Sequence, residues 1–272
     1  MNPDAIIQQK WGDLLAQAVT QPGLILKAYS AFHGYSLGNQ LAALLQCARH
    51  GIEPGPINTY KGWLDTGRQV RKGEKAIWLC MPLTRKKTNG ETGEDELYIT
   101  AFVWKPRWFV LAQTEGEAVP MPETPDWDAE RALATLGIEQ IPFIHTNGNV
   151  QGYAKISQVA VSPLAELPHK TLCHELAHVV LGHTTESDIN DSEQTPMSLR
   201  EVEAEAIALL VCESLGLAGS EYCRGYIQNW IEGEVIPDKS AQKIFGAVDR
   251  ILKAGGTEKP KQTQPNPDYS LE

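Results

Sequence analysis

The stretch TLCHELAHVVLGH, Thr171–His183, places two histidines four residues apart with a glutamate directly after the first. On an α-helix, residues i and i+4 share a face, so His174 and His178 project side by side, one turn apart. Leu172, Leu176, Val179, Val180 and Leu181 make the other faces apolar. Such a helix has to be packed against other elements. The chain must therefore build a core around a pair of imidazoles.

That separation suits two ligands of a tetrahedral Zn²⁺; Mn²⁺ is the alternative metal. Glu175 is then placed beside the open coordination position. There a carboxylate can take a proton from water and return it to a leaving amine. A catalytic metal wants a third protein ligand, and the sequence leaves three candidates open. In SLREVEAEAIALLVCESLGL, Glu201 and Glu205 are four apart and share a helical face, whereas Glu203 points elsewhere. Glu201 reads as the ligand, with Glu205 hydrogen-bonding a ligating histidine; the swapped assignment, Glu205 as ligand, is the alternative. His183 is the third candidate, but it follows Gly182, where the helix is expected to end. Ser198 and Glu201 also fit a capping box. Thr195-Pro196 offers an earlier helix start, which would put Glu201 inside the helix. Tyr153, His145 and Arg200 are candidates for stabilising an oxyanion.

Charge divides the chain. Residues 1–119 carry 13 Lys+Arg against 11 Asp+Glu, and residues 120–256 carry 9 against 20. The net values, +2 and −11, describe two domains with different partners. The basic residues of the first half concentrate between Tyr60 and Lys87, eight against two acids, among Tyr60, Trp63 and Trp78. Basic side chains that track a backbone, with aromatic faces for unstacked bases, are how single-stranded nucleic acid is held. Lys61, Trp63, Arg68, Arg71, Lys72 and Lys75 are the candidate DNA-binding residues on this reading.

The five cysteines, at 47, 80, 173, 212 and 223, are odd in number and none is spaced CxxC. This speaks against a disulfide framework and fits a reducing cytoplasm. The start, MNPDAIIQQKWGDLL, has no basic region followed by an apolar run, so no secretory leader is expected. No apolar run approaches the ~20 residues of a membrane-spanning helix, and no membrane partner is expected.

The texture predicts an α+β fold. Helices are expected over 3–18, around LILKAYSAFHGYSLGNQLAALLQCARHG, near 127–136, at the histidine motif, over 197–216, and near 220–232 and 238–254. KAIWLCMPLTR and LYITAFVWKPRWFVLAQT read as strands around the polar loop KKTNGETGED. Pro120, Pro122 and Pro125 mark a linker. The expected organisation is an N-terminal α+β DNA-binding domain over 1–118, a linker over 119–126, a mainly helical metallopeptidase domain over 127–256, and a polar, disordered tail over 257–272.

The blocks YSLGNQLAALL, WLDTGRQVRKGEKAIWLCMPL and FVLAQTEGE, followed by GNVQGYA, KTLCHELAHVVLGHT, EVEAEAIALLVCESLGL and YIQNWI, resemble in order and spacing the ArdC-type antirestriction proteins of plasmids and phages. The resemblance covers most of residues 5–255. It implies an N-terminal single-stranded-DNA-binding domain joined to a C-terminal zincin-like metallopeptidase domain. It also implies a role in protecting incoming DNA from host restriction during conjugation. Its metal motif maps onto His174, Glu175, His178 and an acidic residue of the 201–205 segment. The chain departs from the family at Glu203, where many members carry an apolar residue. The second half is also similar, more weakly, to the zincin domain of repressor-cleaving regulators. That likeness supports the competing reading: a metallopeptidase that cleaves a regulatory or restriction protein, with the first domain as its targeting module.

Overall fold

The computed structural model describes residues 10–88, 95–121, 123–145, 150–184, 197–231 and 236–257. The expected helix over 3–18 therefore lies partly outside the described residues, as do most of the expected 86–95 loop and almost all of the tail. The fold is α+β. Its contacts form two units, one of residues 42–121 and one of residues 10–41 with 123–257.

In chain order the helices are α1 (Trp11–Thr20), α2 (Leu24–Phe32), α3 (Leu37–His50), α4 (Tyr60–Asp65), α5 (Ala129–Leu136), α6 (Pro168–Val180), α7 (Met197–Ser214), α8 (Ser220–Ile231) and α9 (Asp238–Gly255). The strands are β1 (Ile57–Thr59), β2 (Arg68–Val70), β3 (Ile77–Thr88), β4 (Asp95–Val110), β5 (Thr114–Gly116), β6 (Glu139–Gln140), β7 (Gly152–Lys155) and β8 (Gln158–Val161).

The division by contacts differs from the one that sequence texture suggests. Residues 10–41, expected in the first domain, pack with the second half. The reason is local. Trp11 lies against Phe245, ring centroids 5.8 Å apart. The Gly12, Ile25 and Leu37 amides donate to the side chains of Asp238, Glu213 and Asp249. Arg224, buried and paired with Glu213, donates to the Ala18 and Val19 carbonyls at the end of α1. The apolar faces of α1 and α2 are thus completed by α7, α8 and α9. A burst of helical periodicity shows that a partner exists without saying which.

The unit of residues 42–121 is built on the antiparallel sheet β1-β4-β3. β3 and β4 form a long hairpin with register shifts at Ile77/Trp78 and Leu83/Thr84. Gln46 of α3 closes the end of β3. Its amide donates to the Trp78 carbonyl (2.8 Å) and its oxygen accepts the Trp78 amide (2.9 Å), at the register shift opposite Pro106. β2 pairs with β5.

In the other unit, β6 runs parallel to β8 and β7 antiparallel to it, in the order β6-β8-β7, so β7 is an edge strand. α6 packs on β7 and β8, and α7 packs on α2, α6, α8 and α9. From Val202 to Ser214 every residue of α7 is buried. It is the central helix of the unit, and its lack of a polar face follows from that surrounding.

Candidate metal centre

Pro168 starts α6 at a position where its missing amide costs nothing. The helix stops at Leu181 because Gly182 takes φ +75°, the left-handed conformation that glycine adopts without strain. The His183 amide then donates to the His178 carbonyl at 2.9 Å. This turn carries the His183 side chain back over the helix toward His178.

The structure brings His174, His178 and Glu201 together as a set that could hold a metal ion. The two Nε2 atoms are 3.2 Å apart. Glu201 Oε2 is 3.4 Å from His174 Nε2, and Oε1 is 3.5 Å from His178 Nε2. Bonds of ~2.0–2.1 Å in a tetrahedron put neighbouring ligand atoms ~3.4 Å apart. The two imidazoles stand at about that distance from each other, each has one Glu201 oxygen at about the same distance, and the three donor atoms lie within 4.8 Å of one another. Of the three candidates for the third ligand, Glu201 is the one that lies in this set with the two histidines.

Glu205 does something else. One carboxylate oxygen accepts from His174 Nδ1 at 2.7 Å and the other accepts from Lys170 Nζ at 2.7 Å. His183 stands behind the second histidine: its Nδ1 is 3.1 Å from His178 Nδ1, and its Nε2 is 3.1 Å from Glu203 Oε2. Glu175 is buried between α6 and β7.

The charges follow from this packing. Burial opposes a proton on His174, but the hydrogen bonds to Glu201 and Glu205 outweigh it and raise its pKa to about 9. Hydrogen bonds from His174 and His178 hold Glu201 far below the usual carboxylate range. Burial works against ionisation of Glu205, yet His174 and Lys170 bring it down to about 2. Glu175 moves the other way: burial raises it, with the histidines opposing. A carboxyl shifted toward neutrality is the better proton acceptor and donor near physiological pH.

His174, Glu175, His178, His183 and Glu201 line a cleft of ≈ 960 Å³ together with Lys170, Thr171, Tyr222 and residues of the edge strand β7. Tyr222, at the start of α8, is the cleft hydroxyl that sequence reasoning missed. His145 and Tyr153 instead stack on each other, centroids 4.8 Å apart, and neither they nor Arg200 line the cleft.

The DNA-binding candidates separate into two groups. Trp63 is only 2% exposed and its Nε1 donates to the Phe109 carbonyl at 2.7 Å, so it is a core residue with no face for a base. Arg68 holds β5: Nε donates to Thr114 Oγ1 at 2.8 Å, and its guanidinium reaches the Glu117 and Thr114 carbonyls. Arg71 reaches the Ala112 and Thr114 carbonyls and pairs with Glu74. Both arginines are engaged in holding backbone. Lys61, Lys72 and Lys75 are exposed. The same unit exposes Phe102 (65%), Ile99 and Tyr98 on β4, near the exposed Arg85, Lys105 and Arg107 of the hairpin. The sequence LYITAFVW reads as uniformly apolar, and only the pleat and the bulge decide which side chains are left outside.

A two-unit α+β protein with an HExxH helix and a glutamate third donor is the class that fold and site define. Residues 7–105 match the family model described as the N-terminal domain of anti-restriction factor ArdC. An uncharacterised protein, y4eC, of Sinorhizobium fredii (strain NBRC 101917 / NGR234) is 26% identical over 237 residues, 79% of this chain and 74% of that protein. The metal-free crystal structure of the antirestriction ArdC protein from the R388 plasmid shares the fold at TM-score 0.52 and 21% identity, covering 90% of this chain and 94% of that one. A Mn(II)-bound structure of that plasmid protein superposes at TM-score 0.49, with 17% identity and 93% and 100% coverage. Residues 7–105 therefore carry an N-terminal domain of the ArdC type, and the chain as a whole shares the fold of that plasmid protein.

Proposed function

We propose that this protein binds single-stranded DNA through its N-terminal region, shields incoming DNA from restriction, and carries a divalent-metal centre of peptidase type. The spacing of the His174, His178 and Glu201 donors, with buried Glu175 beside them, carries the metal part of this reading. Two imidazoles and a carboxylate suit Zn²⁺ first and Mn²⁺ second. Bound there, the cation would supply Lewis acidity. Glu175 would take the proton of a water and return it to the leaving amine. Lys170 and Glu205 would keep His174 facing the metal. Five cysteines without a disulfide fit a cytoplasmic setting. No helix of the described residues is long and apolar enough to cross a membrane.

For DNA, the candidates that remain available are Lys61, Lys72 and Lys75, with the exposed Phe102 and Tyr98 as stacking faces. The alternative reading, cleavage of a regulatory or restriction protein, draws on one observation: the edge strand β7 lines the cleft. An exposed strand edge can pair with an extended peptide.

The test is fluorescence anisotropy of a labelled single-stranded oligonucleotide, with a duplex control, across a salt series. Single-strand binding should weaken steeply with salt. It should survive Glu175→Ala and be lost in Lys61/Lys72/Lys75→Ala. Failure to bind at low salt would remove the DNA reading and leave the cleft as the main business of the chain.

A further inference from the structure

His183 and Glu203 are an ionisable pair at the base of the cleft wall, His183 lining the cleft and Glu203 buried in the core, their side chains 6% and 2% exposed. Burying such a pair rarely adds stability over apolar residues of the same size, so the position asks for another explanation. Glu203 directs Oε2 to His183, and its Oε1 has no hydrogen-bond partner among the described residues. The carboxylate therefore sits in the core for the sake of one contact, the one with His183.

The protons can be placed in order. His178 faces His174 and Glu201 with Nε2. An imidazole that offers a lone pair at Nε2 keeps its proton on Nδ1. That N–H points at His183 Nδ1, 3.1 Å away, which must then be the bare nitrogen. His183 consequently carries its proton on Nε2 and donates it to Glu203. Each link fixes the next, from Glu203 through His183 to the Nε2 lone pair of His178. With both ring nitrogens engaged in this way, His183 is not a ligand.

We propose that His183 and Glu203 are positioning residues that fix the tautomer and ring orientation of His178 and so set the affinity of the metal centre. The proposal rests on reading His174, His178 and Glu201 as metal ligands. The two histidines are then held by different means: His174 directly by a carboxylate, His178 by a neutral imidazole backed by one. Outer hydrogen-bond partners of this kind change metal affinity by about 10- to 100-fold when removed.

The experiment is equilibrium competition of Co²⁺ against a chelating dye on metal-free protein, with the Co²⁺ absorption spectrum recorded in parallel. His183→Asn keeps an acceptor oxygen near the place of Nδ1 and should bind close to wild type. The double variant His183→Leu/Glu203→Leu exchanges the pair for apolar groups of similar size, which avoids stranding a buried charge. It should bind about 10- to 100-fold more weakly, with an altered spectrum and a metal-free melting temperature no lower than wild type. If the double variant fails to fold, Glu203→Met, close in size and without an acceptor for the His183 N–H, takes its place and should still weaken binding. Wild-type affinity in the folded double variant, or in Glu203→Met where it stands in, would overturn the positioning role and leave the metal centre standing. A wild-type protein that binds no Co²⁺ would overturn the metal reading and this inference with it.

Discussion

Gly152→Ala adds a single methyl group at the most crowded point of the candidate centre. Gly152 opens β7 and faces α6. A Cβ there would lie 2.6 Å from Thr171 Cγ2, 2.9 Å from Glu175 Oε1 and 3.0 Å from the Ala160 carbonyl oxygen. Carbon atoms prefer ~3.5–4.0 Å, so the methyl is about an ångström too close to Thr171. Rotating Thr171 relieves one contact only. The Ala160 oxygen belongs to the neighbouring strand, and Glu175 is itself buried. Either β7 must draw away from α6 or the Glu175 carboxylate must swing out of place. Overpacking of this kind costs ~1–3 kcal/mol. At ~2–4 °C per kcal/mol for a domain of this size, the melting temperature should fall by roughly 2–12 °C. The candidate ligands His174, His178 and Glu201 are untouched, so metal affinity should stay close to wild type while the proton-transfer role proposed for Glu175 should be lost. Calorimetry of the metal-free variant, a metal titration and a crystal structure would check the three parts. A variant that melts with the wild type and keeps Glu175 in place would refute the argument that this glycine makes room for the carboxylate.

Two further outcomes concern pH. Burial raises Asp249 from 3.8 to about 6 despite the hydrogen bond from the Leu37 amide. Its favourable contribution is therefore fully present below pH ~4 and lost as pH rises through ~6. Asp249→Asn keeps an acceptor for Leu37 and should gain ~2–3 kcal/mol on wild type between pH 4 and pH 7; parallel urea-denaturation stabilities across that range would contradict it. Metal binding must also expel the proton that Glu201 and Glu205, against the effect of burial, help His174 retain up to about pH 9. Apparent affinity should accordingly climb by about tenfold per pH unit toward that value, and a flat competition profile between pH 6.5 and 8.5 would count against it.

Much of the second half was legible because helical spacing and the histidine motif act locally. The helix bearing His174 and His178 needed only the i, i+4 rule. The choice among Glu201, Glu203 and Glu205 was not legible with the same certainty. It depends on how α7 is rotated against α6, a tertiary fact. The four-residue spacing puts Glu201 and Glu205 on one helical face, and in the structure both lie against His174. His183 could be read as a ligand because the sequence does not say which way the chain turns after Gly182. In the first half the limits were of another kind. A count of basic residues cannot tell an arginine that faces solvent from one holding carbonyls, as Arg68 and Arg71 do. Trp63, read as a stacking face, is buried, while Phe102, which drew no reading in the sequence, is exposed. Burial at both positions is decided by packing partners that lie far away in sequence.

One turn and a half of α7 carries three carboxylates, and each answers to a different group: Glu201 to the donor cluster, Glu203 to His183, Glu205 to His174 and Lys170. For a lineage accumulating mutations, this segment is a place with few single steps. A one-residue deletion before Glu201 would turn every carboxylate by about 100° and empty all three positions at once. Replacing Glu203 alone strands His183, and replacing His183 alone strands Glu203. Change at that pair is expected to arrive as two substitutions together, so an apolar residue in place of Glu203 in a relative should come with a different residue in place of His183.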